Sequence, residues 1–144
     1  MVHLAPSQPD MSSKNNAVQQ LGVDVHAFKI DIVLVCETWF TPKHADSLYH
    51  INNYVLHRKD RASRRGGGVC IYVPERYSST VLLTNPAESD CNLEITWVTV
   101  VVNNVCFLIT CIGHPPKPTY NSYYNFAKEL LVILILSLSI SLMK

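Results

Sequence analysis

The chain has little charge and little glycine. Of its 144 residues, 16% are Asp, Glu, Lys or Arg, and only five are Gly. With 48% apolar residues, it has the material for a core and falls outside the composition of disordered or collagen-like chains. Neither sign of charge dominates, since the formal net charge is +1, and a chain that is basic throughout is excluded. The five cysteines are odd in number and none stand as Cys-x-x-Cys. That disfavours a zinc ribbon, a thioredoxin motif and a fully paired disulfide framework. Cys36, Cys70 and Cys106 lie inside apolar runs, where Cys behaves as a small buried hydrophobe. A reducing compartment is expected, nuclear or cytoplasmic. The first ten residues lack a basic stretch followed by an apolar one, so no signal peptide is expected. The longest greasy segment, Leu130 to Met143, would span ~21 Å as a helix, against ~30 Å for a bilayer core. It reads as a buried helix or as joined, unrelated sequence. The alternative is a tail anchor holding the chain to a membrane through 130–143.

What is present points to one α/β unit. Residues 1–13 carry Pro6, Pro9, Ser12 and Ser13 without periodicity and read as an unstructured lead-in. Ala17, Val18, Leu21, Val25 and Phe28 recur at steps of three and four, which predicts a helix, with Asn15 as its N-cap. Ile30 to Cys36 is β-branched and almost wholly apolar, the pattern of a strand buried on both faces. Short strands are predicted at Tyr54–His57, Val69–Val73 (stopped by Pro74) and Thr80–Thr84. Two longer runs, Asn92–Val102 and Val105–Ile112, flank Asn103-Asn104, a hairpin signal because both residues tolerate positive φ. Thr41 to His50 reads as a loop or short turn of helix, Lys59 to Gly68 as a loop, and Tyr123 to Met143 as a helix that becomes apolar all round. The expected organisation is a lead-in at 1–13, a domain over 14–129 with an antiparallel-rich sheet, and an apolar tail at 130–144. The chain reads as interrupted, because that tail has no evident partner face.

Three places carry candidate chemistry. Glu37 follows directly after the buried strand, and an acid at the carboxyl end of a central strand sits where open sheets place ligands. A lone carboxylate there suits Mg²⁺, which takes one or two protein carboxylates and keeps most of its waters. The bland alternative is an acid paired with a neighbouring Arg. The second place is the segment from His57 to Gly68. Five of the twelve Lys and Arg residues lie here (Arg58, Lys59, Arg61, Arg64 and Arg65), followed by Gly66-Gly67-Gly68. Local positive charge is what a phosphate-backbone contact needs. A solvated basic loop would look the same. No Gly-Lys-Ser/Thr follows, so it is not a P-loop. The third place is Gly113-His114 at the end of the last strand run. No Ser-His-Asp spacing and no zinc pattern accompanies that histidine.

In order, these blocks resemble a known family. Asp31-Ile32-Val33-Leu34-Val35-Cys36-Glu37-Thr38-Trp39 is similar to the "DIV…ETW" block of the endonuclease/exonuclease/phosphatase superfamily. The nearest likeness is to the apurinic-endonuclease-like domain of non-LTR (LINE-type) retrotransposons. Arg58 to Val73 resembles that family's "RxDRxxRxGGGVxxYV" block, and Leu93, Glu94, Trp97 and Val98 its "LE…WV" hairpin. Gly113-His114-Pro115-Pro116 stands where the family has "YxPP". The likeness covers about Ala17 to Leu131. It implies a four-layer α/β sandwich of two mostly antiparallel sheets, here incomplete. It also implies Mg²⁺-dependent phosphodiester hydrolysis that nicks DNA to prime reverse transcription, and no small-molecule cofactor. It assigns Glu37 to the metal and the basic segment to DNA.

The departures are as informative. The family's Asn-bearing first strand is replaced by Gln8-Pro9-Asp10-Met11-Ser12, and the Tyr of "YxPP" falls on Gly113. Neither "Gly-Asp-Phe-Asn" nor "Ser-Asp-His" occurs after Pro116. In the family those blocks position the water and phosphate and supply the catalytic imidazole and its orienter. The expectation is therefore a partial endonuclease domain without turnover. A half-sandwich would expose the inner faces of Thr96–Val102 and Phe107–Ile112, an aggregation hazard. The alternatives are a non-catalytic nucleic-acid-binding fragment and the tail-anchored protein.

Overall fold

The computed structural model describes residues 2–3, 11–61, 66–84, 94–113, 127 and 131. The chain divides into two compact units, one of Met1–Asn85 with Glu94–Gly113 and one of Pro86–Leu93 with His114–Lys144. Of the second unit only residues 127 and 131 are described, both helical. The expectations for His114 and for the apolar tail at 130–144, residue 131 apart, lie outside the described residues.

In the first unit the elements run β1 (Val2–His3), α1 (Met11–Ala27), β2 (Val33–Cys36), a 3₁₀ turn (Asp46–Tyr49), β3 (Tyr54–Lys59), β4 (Val69–Pro74), β5 (Ser78–Thr84), β6 (Glu94–Val102) and β7 (Val105–Gly113). Helix α1 starts four residues before the predicted N-cap Asn15, which is an interior helical residue. The lead-in also differs from its reading, because Val2–His3 pair parallel to Val35–Cys36. Apolar spacing set the buried face of α1 correctly: Val18, Leu21 and Val25 are 8% exposed or less. Burying each such side chain is worth ~1.5–3 kcal/mol. Phe28 falls beyond the helix and is 75% exposed. The helix stops there because Lys29 turns to φ +51°. The Ile30 N–H then donates back to the Val25 carbonyl at 2.9 Å and the Lys29 N–H to the His26 carbonyl at 3.3 Å, which satisfies two terminal carbonyls.

The first sheet has the order β1-β2-β4-β3, and the second β5-β6-β7. Apart from β1–β2, every pairing is antiparallel. Strand β4 is buried along its whole length, Pro74 included. Its alternate side chains serve two cores. Cys70 and Tyr72 join Val18, Leu21 and Val25 of α1 on one face. Val69, Ile71 and Val73 meet Val98, Val100 and Cys111 of the second sheet on the other. The described residues therefore form three layers: helix, sheet and sheet. This is a mixed α/β architecture with antiparallel sheets. Strand β2 is shorter than expected and not buried on both faces, since Leu34 is 37% exposed.

The Asn103-Asn104 hairpin forms as expected, at φ +51° and +63°. Exposure of the inner face of β6 does not occur. Thr96, Val98 and Val100 are fully buried, and Ile95 and Trp97 on its other face are 2% exposed or less. The first sheet covers the inner face of β6. Strand β7 is different: Val105, Phe107 and Leu108 are 53%, 48% and 36% exposed near the hairpin tip.

Candidate functional site

The registers and the packing of the two sheets bring five strand termini to one place. Cys36, the last residue of β2, pairs with Val69, the first of β4, and Val69 also pairs with Lys59 at the end of β3. In the second sheet Glu94 opens β6 opposite Gly113, which closes β7. An added Cβ on Gly113 would lie 2.8 Å from Val69 Cγ1 and 3.0 Å from Glu94 Oε2, so the two sheets converge at this end. In the first sheet the register also sets the backbone of His3 level with Cys36.

Glu37 begins the turn after β2 at φ +57°, and Trp39 follows at φ +56°, values an L-residue adopts at a cost. The turn is held against the glycine segment by backbone hydrogen bonds. The Trp39 N–H donates to the Gly67 carbonyl at 2.8 Å and the Thr38 N–H to the Gly68 carbonyl at 3.2 Å. In return the Gly67 N–H donates to Glu37 Oε2 at 3.0 Å. Gly66, Gly67 and Gly68 all have positive φ, +85°, +78° and +87°. A Cβ on Gly68 would meet Thr38 Oγ1 at 2.6 Å, and one on Gly67 would strike the Arg61 guanidinium. The three glycines thus let the backbone close over the Glu37 turn.

Sequence reasoning assigned no role to Glu94, which lies next to this turn. It is 7% exposed, accepts the Gly68 N–H at 2.7 Å and pairs with Arg61 through Arg61 Nε. The reading of an acid paired with an Arg, weighed for Glu37, applies to Glu94. An acid opening an otherwise apolar strand was the available signal, because such an acid needs a cation or backbone donors when buried.

The basic segment is not one uniform surface. Arg58 has a side chain only 14% exposed. It pairs with Asp46 at 2.8 Å and Asp60 at 3.5 Å, donates to the His44 carbonyl at 2.7 Å and lies 5.1 Å from the centre of the Tyr49 ring. Arg61 is 15% exposed and committed to Glu94. The sequence expectation is that both meet DNA; in the structure both side chains are largely buried and each pairs with a buried acid, Asp60 or Glu94. Burial pushes the Asp60 carboxyl up, and Arg58 partly opposes this. Lys59 is half-buried at the end of β3, and Arg64 and Arg65 lie outside the described residues.

Nearby, Cys36 and Cys111 face each other across the two sheets with Sγ atoms 3.7 Å apart. Burial, reinforced by Cys36, raises the Cys111 thiol. Further off, His57 of β3 meets Ser79 of β5 at 2.9 Å, and burial lowers its pKa. Two shallow depressions flank α1, one lined by Val18, Gly22 and Ile51 and the other by Val25, Ile30 and Tyr54. Neither includes Glu37.

The Glu37 carboxylate accepts one backbone N–H and retains acceptor capacity on its other oxygen. That fits one ligand of a hydrated Mg²⁺. No group of three or more His, Cys, Asp or Glu side chains gathers as a metal site among the described residues. No helix among them is long and apolar enough to cross a membrane. Comparison of the chain with protein-family models, curated proteins and solved structures gives no match.

Proposed function

We propose that this chain carries the first part of a DNA endonuclease domain of the non-LTR retrotransposon type, and that these residues alone do not turn over. The observation that supports it most is Glu37, held by the Gly67 N–H on a left-handed turn beside five strand termini. In this reading Glu37 is the residue that would hold Mg²⁺. When bound, the ion supplies positive charge to phosphodiester oxygens. The Gly67 N–H orients the carboxylate, and the Arg61–Glu94 pair fixes the glycine segment behind it. In this reading the basic segment, Arg58, Lys59, Arg61, Arg64 and Arg65, supplies the phosphate contacts, with Arg58 and Arg61 also paired to the buried acids Asp60 and Glu94.

Turnover fails for a chemical reason. No residue pair in the sequence matches the family's imidazole and its orienting acid, or its water-positioning Asp and Asn. General acid–base help is typically worth ~10²–10⁴-fold, and each transition-state donor ~10²–10³-fold. One hydrated ion on one carboxylate leaves both contributions unmade.

The test is nicking of supercoiled plasmid with Mg²⁺, on a sample shown to be folded by circular dichroism, beside duplex-DNA binding over a salt series. The expected result is no nicking, with binding that weakens with salt. Changing Lys59, Arg64 and Arg65 to Ala should reduce the log–log salt slope by roughly 0.9 for each phosphate that is no longer neutralised. Mg²⁺-dependent nicking abolished by Glu37→Gln would overturn the inactive reading. No DNA binding at low salt would overturn the endonuclease origin. Binding indifferent to both Mg²⁺ and Glu37→Gln would favour a purely nucleic-acid-binding fragment.

A further inference from the structure

We propose that Cys36 and Cys111 form an oxidation site, a thiol pair that a hydroperoxide converts to a disulfide joining the two sheets. Cys36 ends β2 in the first sheet and Cys111 lies near the end of β7 in the second. Their Sγ atoms are 3.7 Å apart, so bond formation requires the gap to close to ~2.05 Å. Each thiol also reaches across to the other's strand. Cys36 donates to the Ile112 carbonyl at 3.3 Å and Cys111 to the Val35 carbonyl at 3.5 Å. These reciprocal contacts hold the two sulfurs facing each other in the reduced protein.

Exposure orders the chemistry. Cys36 is partly exposed, whereas Cys111 is 3% exposed and Cys70 fully buried. The oxidant therefore meets Cys36 first. Its sulfur attacks one peroxide oxygen: an S–O bond forms, the O–O bond breaks, and one water leaves with the thiol proton. The Cys111 sulfur then attacks Sγ of the resulting sulfenic acid: an S–S bond forms, the S–O bond breaks, and a second water leaves. Two thiols and one hydrogen peroxide become one disulfide and two waters, with sulfur oxidised and peroxide reduced. The bond would close a loop across 75 positions, beside the Glu37 turn. It does not depend on the endonuclease reading.

The experiment uses the full chain with Cys91→Ser and Cys106→Ser, since Cys106 is exposed and would join two molecules. The reduced protein is treated with hydrogen peroxide, then digested with trypsin without reduction. Cleavage after Lys29, Lys43, Arg65 and Arg76 places Cys36, Cys70 and Cys111 on three separate peptides. The expected product is a monomer in which the Cys36 and Cys111 peptides are linked, with Tm raised by roughly 5–15 °C over the reduced form. Adding Cys36→Ser should abolish the link, and adding Cys70→Ser should leave it intact. Linkage of Cys36 to Cys70, or sulfinic acid at Cys36 with Cys111 still a thiol, would overturn the proposal. The Cys70→Ser arm keeps the test decisive if Cys36→Ser does not fold.

Discussion

Glu94 and Arg61 show how a single buried acid shapes the region around Glu37. Glu94 has a side chain 8% exposed, and its two oxygens take Arg61 and the Gly68 N–H. Removing the guanidinium leaves a carboxylate in a poorly solvated place. Arg61→Met should therefore cost about 3 kcal/mol in urea unfolding, and Arg61→Met with Glu94→Gln should recover most of it, because Gln still accepts from Gly68. If the single and double variants lost equal stability, the pair would not be the cause. Gly68 is a second sensitive residue. It combines φ +87° with a Cβ position 2.6 Å from Thr38 Oγ1, so Gly68→Ala should cost about 1–3 kcal/mol. A change below about 0.5 kcal/mol in the same assay would show that the turn relaxes freely.

At the scale of elements, a side-chain contact between strands of different sheets makes stability depend on pH. His57 of β3 is half-buried against Ser79 of β5, and burial holds its pKa below the usual 6.5. A lowered folded pKa means that the unfolded chain binds more protons in the window beneath about pH 6.5. The full contribution of neutral His57 is thus present above about pH 6.5 and is lost as pH falls through the folded pKa. The urea midpoint should fall between about pH 7 and about pH 5, and His57→Gln should flatten that part of the profile. An unchanged profile in the variant would assign the slope to other groups. The β6–β7 hairpin poses a different problem. Strand β7 is uncharged from Val105 to Gly113, and Phe107, near the hairpin tip, is 48% exposed on a strand that pairs on one side only among the described residues. Phe107→Lys should reduce light scattering on concentration while changing stability by no more than about 0.5 kcal/mol. Equal scattering by both proteins would exclude this edge as the association surface.

At the scale of the whole molecule, the sequence determined what depends on local period and local backbone preference. The three-and-four spacing of Val18, Leu21 and Val25 settled which face of α1 is buried. The β-branched runs settled the existence of β2, β4, β6 and β7. Two asparagines that tolerate positive φ settled the hairpin. Helix and strand ends were less legible. Asn15 is as good a cap as the residues before it, and only the continuing backbone hydrogen bonds carry α1 back to Met11. The place of Glu37 at the end of β2 was legible because an acid directly after an apolar run is conspicuous on its own. Glu94 was not, because the cation that makes it tolerable is 33 residues away in the chain. Tertiary structure likewise decided the fate of the basic segment. A sequence shows how many positive charges are adjacent, but solvation of each depends on which acids the fold sets beside it. Asp60 and Glu94 draw Arg58 and Arg61 inward. The reason is physical: local preference acts within a few residues, whereas burial of a charge is decided by partners that only strand pairing and sheet packing bring into reach.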